Sequence, residues 1–143
     1  MSRVVEAARR WIGTPYVHQA SVRGAGADCL GLVRGIWREL FGTEPEPVPP
    51  YAADWSEAGR EERLWQAAAR HLHRLPQGDV GPGEVLLFRM RQAGVAKHLA
   101  IASAPDRFIH AYSRHGVIEN TLSAPWRRRI VARFAFPFDD RRS

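Results

Sequence analysis

The hydrophobic pattern of this chain changes period partway along, and that change limits the folds open to it. Up to about residue 75 the apolar residues recur at helical spacing; from Val85 onward they come in short runs that alternate with period two. Helices first and strands later indicate an α+β domain, with N-terminal helices packed on one face of an antiparallel sheet of five to six strands. Val4, Ala8, Trp11 and Ile12 fall at i, i+4, i+7 and i+8, Ser2 is placed to cap, and Gly13-Thr14-Pro15 ends this first helix. Residues 16–28 read as loop. A second helix starts at Asp28 or Cys29 and buries Leu32, Val33, Ile36, Trp37 and Leu40. Pro45, Pro47, Pro49 and Pro50 then enforce an extended surface crossing. A third helix, capped near Asp54 or Ser56, carries Leu64, Ala68 and Leu72 and ends before Pro76. Strands are predicted over 85–89, 97–102, 108–112, 117–120 and 130–136, with glycine- and proline-marked turns between them.

At 143 residues the chain is expected to form one domain, 1–143, able to build its core without a disulfide or metal staple. Its start has no apolar signal-peptide core, and no run approaches the ~20 apolar residues of a membrane span. Synthesis in the cytoplasm without a cleaved signal, and no membrane insertion, are the expectations. The net charge of +6 comes almost wholly from arginine, with Lys97 the only lysine and a cluster at Arg127-Arg128-Arg129. A basic patch attracts phosphates without sequence preference. Zinc-finger spacing and RNA-binding signatures are missing, however, so no specific nucleic-acid partner is expected. Attraction to an anionic polymer or wall surface is the softer alternative.

Cys29 is the only cysteine. It follows a glycine-rich loop, Arg23-Gly24-Ala25-Gly26-Ala27, at the start of the second helix. A lone thiol forms no internal disulfide, so it is either a buried small hydrophobe or a nucleophile. The positive end of a helix dipole can lower a cysteine pKa from about 8.5 into the range of roughly 3.5–7.5, which favours the nucleophile.

Thiol catalysis needs a base and a group to orient it. Of six histidines, His71 and His73 lie on the predicted third helix without sharing a face, and His18 and His115 fall in a loop and a turn. His98 and His110 each occupy an apolar strand. His98, Ala100 and Ala102 share one face, and a face of histidine and alanines would let a nucleophile-bearing helix approach closely. If the two strands pair through Pro105-Asp106, His98 and His110 converge. A zinc site of Cys29, His98 and His110 is chemically feasible, but nothing in the spacing asks for metal, and no cofactor is expected.

The order of motifs resembles the NlpC/P60 family of cysteine peptidases, which have a papain-like core. The resemblance is carried by Trp11-Ile12-Gly13-Thr14-Pro15-Tyr16, Asp28-Cys29-Leu30-Gly31-Leu32-Val33, Gly78-Asp79, Lys97-His98-Leu99-Ala100-Ile101 and Ile109-His110-Ala111. It runs from about Val4 to Pro137 and looks most like the branch in phages and phage-like gene transfer particles, where the peptidase accompanies tail genes. It implies Cys29 as nucleophile, His98 as general base and His110 as the polar residue orienting it. It also implies Tyr16 as an oxyanion donor beside the Cys29 N–H, Asp28 as a ligand for a substrate amine, and glycines around Gly24 and Gly26 that admit substrate backbone. The implied reaction is hydrolysis of peptidoglycan stem peptides, typically at the D-glutamyl–diaminopimelate amide, through a thioester in the periplasm or cell wall. Phage-like tail or baseplate proteins are the implied partners. Leu30 stands where many relatives have serine, which leaves amine recognition open. A thiol amidase or acyltransferase on the same fold, or a non-catalytic tail-tip assembly protein, are the alternatives.

Overall fold

The computed structural model of the protein describes residues 2–45, 62–90 and 94–137. In chain order the elements are α1 (Arg3–Arg10), β1 (Ser21–Val22), β2 (Gly26–Ala27), α2 (Cys29–Phe41), α3 (Arg63–His71), β3 (His73–Leu75), β4 (Val85–Arg89), β5 (Ala96–Ala104), β6 (Arg107–Tyr112), β7 (Gly116–Thr121), α4 (Ala124–Arg127) and β8 (Ile130–Ala135). Six strands form one antiparallel sheet in the order β3-β8-β4-β5-β6-β7, and β1 and β2 make a small separate hairpin. The α+β architecture with N-terminal helices on an antiparallel sheet is therefore as the sequence predicts. The connector beyond Pro45 and the caps at Asp54 and Ser56 lie outside the described residues.

Ser2 caps α1, its hydroxyl accepting from Val5 N–H at 3.2 Å. Val4, Ala8 and Trp11 are buried, but Ile12 is 42% exposed, contrary to the i+8 expectation. The helix stops at Arg10, and the chain turns at Gly13 (φ 95°), which rotates Ile12 outward. The Trp11 indole lies across Gly35 of α2, where an ideal Cβ would stand 2.0 Å from its ring. Only glycine lets the two helices meet there. Glu62 ties the start of α3 to the sheet, accepting from Ala96 N–H at 2.8 Å and pairing with Arg89.

Two differences from the predicted elements matter. The third helix ends at His71, and His73–Leu75 is an edge strand paired with Phe134 and its neighbours on β8. His73 is therefore a strand residue, not a helix residue. The second difference is the face of β5 that meets α2. Leu99 and Ile101 pack with Leu32, Val33 and Ile36 of α2 in the main core. Ala100 and Ala102 face the other way, against Phe88, Phe108 and Trp126. The small alanines thus make room for aromatic rings, not for the cysteine-bearing helix. Long aliphatic side chains fill the helix–sheet space better, since each fully buried one contributes about 1.5–3 kcal/mol.

Candidate active site

Asp28 builds the start of α2. Its Oδ1 accepts from Gly31 N–H at 2.7 Å, and its Oδ2 accepts from Gln19 N–H at 2.7 Å. The residue is 2% exposed, so its carboxylate serves as an N-cap that also fastens the preceding loop. His18 adds an approach of 3.7 Å from Nδ1 to Oδ2. A parallel bridge between Tyr16 and Ala27 brings the Tyr16 ring beside the first turn of α2.

Cys29 reaches the sheet where β5 and β6 separate. Their pairing runs from Ala104↔Arg107 to Ile101↔Ile109 and stops, while β6 continues to Tyr112 paired only with β7. The freed edge of β5 takes the thiol instead. Cys29 Sγ lies 3.9 Å from the Lys97 carbonyl, to which it donates, and the Leu99 N–H points at the sulfur. α2 and the histidines occupy opposite faces of the sheet, and this opening is where they meet.

His98 and His110 converge on the face opposite α2. His98 Nε2 lies 2.7 Å from His110 Nδ1, and His110 Nε2 lies 2.7 Å from Asn120 Oδ1. Trp126 closes over the pair, with ring centroids 6.0 Å from His98 and 5.3 Å from His110. Tyr112 stacks on His110 at 5.1 Å and on His115 at 5.4 Å.

Tyr16, Asp28, Cys29 and His98 line one cleft with His18, Lys97 and Tyr112. Its cavity volume is about 140 Å³, below the roughly 300–1,000 Å³ of drug-sized ligand sites, so the cleft has room for one amide and its nearest atoms while the rest of a peptide lies outside it. His110 lies behind His98, fully buried. Gly26 and Leu30 are not among the cleft residues. A Cβ on Gly26 would stand 2.7 Å from Val17 Cγ2, so its smallness serves loop packing. Leu30 is half-buried against the main core.

Burial dominates the electrostatics. The Cys29 thiol is pushed up to about 12, first by burial and then by the Asp28 carboxylate, against the downward pull of the Leu99, Leu30 and Cys29 N–H groups. The lowering expected from the helix dipole is thus outweighed, because burial penalises the thiolate most and the Asp28 carboxylate adds to it. Burial and His110 take His98 down to about 3, and burial takes His110 down to about 4 despite the Asn120 bond. Tyr16 is raised to about 12 by burial and then by Cys29 and Asp28, which keeps its hydroxyl a donor. The resting site is a neutral thiol beside a neutral imidazole.

Asn120 and Trp126 were not singled out from sequence. Asn120 was legible in principle: it lies on a strand two residues after Ile118, which pairs with His110, and so is on the histidine face. Trp126 sits in the short helix α4, beside an arginine run whose pattern announces no packing.

Comparison with known proteins places the fold and the sequence in a family. The chain is 27% identical over 129 residues to a protein of Escherichia coli (strain K12) named murein DD-endopeptidase MepS/murein LD-carboxypeptidase, covering 90% of this chain and 58% of that one. It is 28% identical over 129 residues to the gamma-DL-glutamyl hydrolase of Bacillus subtilis (strain 168), covering 90% of this chain and 27% of that one. The structure of an NlpC/P60 family protein from Bacillus cereus ATCC 10987 superposes with a TM-score of 0.65 at 16% identity, over 94% of this chain and 39% of that one. This chain spans 58% or less of the length of each of these three proteins. The sequence pattern of the NlpC/P60 family matches residues 13–134, and the chain belongs to that family.

Proposed function

We propose that this protein is a cysteine endopeptidase that hydrolyses peptidoglycan stem peptides at the D-glutamyl–diaminopimelate amide. The observation that carries the reading is the common cleft of Cys29 and His98, with His98 backed by His110 at 2.7 Å. Support for the substrate comes from family membership and from relatives named for murein and for glutamyl hydrolysis.

With both partners neutral at rest, His98 acts as a general base during attack rather than holding a preformed thiolate. The Cys29 S–H proton passes to the free nitrogen of His98 as sulfur bonds to the amide carbon. In this reading the Tyr16 O–H and the Cys29 N–H serve as the oxyanion donors; loss of one such donor typically costs about 100–1000-fold. His98 then returns the proton to the leaving amine, giving a thioester. Water, deprotonated by the same base, releases the acid and restores the thiol.

The protein's place of work in this reading is the periplasm or cell wall, delivered by phage-like tail or baseplate proteins. The support for that delivery is the motif resemblance and the basic surface. Tail genes beside this one would bear it out.

Digestion of wall fragments, followed by mass spectrometry, tests the bond. A new amine on diaminopimelate fits the endopeptidase. A freed lactyl group means an amidase, and a transferred acyl chain means an acyltransferase. No thiol-dependent product at all leaves the non-catalytic assembly role.

A further inference from the structure

Two imidazoles joined by one hydrogen bond have two neutral arrangements. Either His98 Nε2–H donates to His110 Nδ1, or His110 Nδ1–H donates to His98 Nε2. The two differ in what His98 offers Cys29. In the first, His98 Nδ1 keeps its lone pair and accepts a proton; in the second, Nδ1 already carries one and His98 is no base there.

The two histidines alone do not choose between these. Asn120 does. Its Oδ1, an acceptor only, lies 2.7 Å from His110 Nε2, so that nitrogen carries the hydrogen. A neutral His110 then has a bare Nδ1, which lies 2.7 Å from His98 Nε2 and accepts from it. The sequence of bonds leaves His98 Nδ1 free. His110 is fully buried and Trp126 packs against both rings, so water does not compete for the His110 Nδ1 position.

We propose that Asn120 is a positioning residue that fixes the tautomer of His110 and, through it, the basic nitrogen of His98. The proposal rests on the cysteine-peptidase reading above for its effect on rate, but the tautomers themselves do not. Residues acting at this remove matter because a wrong histidine tautomer costs a catalytic triad up to about 10⁴ in rate.

The test begins with the wild-type protein labelled with ¹⁵N in its histidines, observed at pH 7 by long-range ¹H–¹⁵N correlation. Both His98 and His110 should show a protonated Nε2 and a bare Nδ1. A protonated Nδ1 on His98 would overturn the proposal. Asn120→Leu, similar in size and without the acceptor, should give mixed tautomers and lower kcat on a stem peptide in proportion to the fraction that loses the bare His98 Nδ1, roughly 2–10-fold, with KM within about twofold. Asn120→Asp keeps an acceptor and should restore the tautomer and most of kcat. Unchanged tautomers and kcat in Asn120→Leu overturn the proposal, as does failure of Asn120→Asp to restore either. If Asn120→Leu does not fold, the wild-type spectrum and Asn120→Asp decide. If wild type cleaves no stem peptide, the functional reading falls while the spectrum still judges Asn120.

Discussion

Gly31 and Ala20 meet backbone to backbone: a Cβ on Gly31 would stand 1.8 Å from the Ala20 carbonyl oxygen. The first turn of α2 is thereby held under the loop that runs from Tyr16 to Ala20. Ser21 adds a hydroxyl bond to the Gly31 carbonyl at 2.6 Å. The position of the thiol relative to Tyr16 depends on this contact as much as on the Asp28 cap.

Gly31→Ala should therefore destabilise the fold by about 1–3 kcal/mol or more, since the obstacle is backbone rather than a movable side chain. Urea unfolding measures it. An unchanged midpoint would show that the loop and α2 are not in the close contact described.

The thiol should be sluggish in the resting protein. Alkylation of Cys29 by iodoacetamide should rise steadily with pH beyond 8.5, with no plateau at neutral pH, because burial and Asp28 hold the thiol form. Asp28→Asn keeps an oxygen for Gly31 N–H and removes the negative charge. It should speed alkylation at fixed pH while costing about 1.5–3 kcal/mol for the lost charged bond to Gln19. A plateau between pH 5 and 7 would contradict this account.

That result also marks where sequence reasoning reached its limit. The helix start at Cys29, the strands carrying His98 and His110, and their antiparallel pairing were legible from period, turn residues and register. The thiol's pKa was not, because the dipole argument is local while burial depends on how β5 and β6 separate around the sulfur. Nor was the orientation of β5: alternation separates Leu99 and Ile101 from Ala100 and Ala102 but does not say which side α2 takes. The edge strand at His73 was hidden because Leu72 and Leu75 continue the apolar spacing of α3 without a breaker. Its strand form comes from its partner, β8.

Acid should weaken the fold in two windows. His98 and His110 are shifted from 6.5 down to about 3 and about 4, so the unfolded chain binds protons that the folded one refuses. Stability attributable to this pair is fully present above about pH 6.5 and is lost as pH falls toward the folded values, by up to about 1.4 kcal/mol per pH unit for each proton. Glu44 and Glu119, held below 4.5 by their arginine and serine partners although burial opposes this, add a loss only below that value. Unfolding free energy against pH should show both phases, and His98→Gln/His110→Gln should flatten the upper one. A double variant with the wild-type slope between pH 6.5 and 4.5 would exclude these histidines as its source.

Trp126→Ala should expose the histidine pair to water. Its ring is half-buried, so a stability loss of about 2–3 kcal/mol is expected, less than the ~3–5 of a fully buried tryptophan. With burial relieved, His98 should titrate nearer 6.5, as followed by its ring proton shifts in NMR. A His98 that stays as acidic in the variant would mean that the ring does not keep water from it.

The central claim is that Cys29 attacks the amide carbon with His98 as its base. Acid-quenching the protein with a stem peptide during the first turnovers, and weighing the intact chain, tests it most directly. The account predicts an acyl adduct on Cys29 in wild type, and neither adduct nor cleavage with Cys29→Ala. Cleavage that continues at the wild-type rate in Cys29→Ala would contradict it.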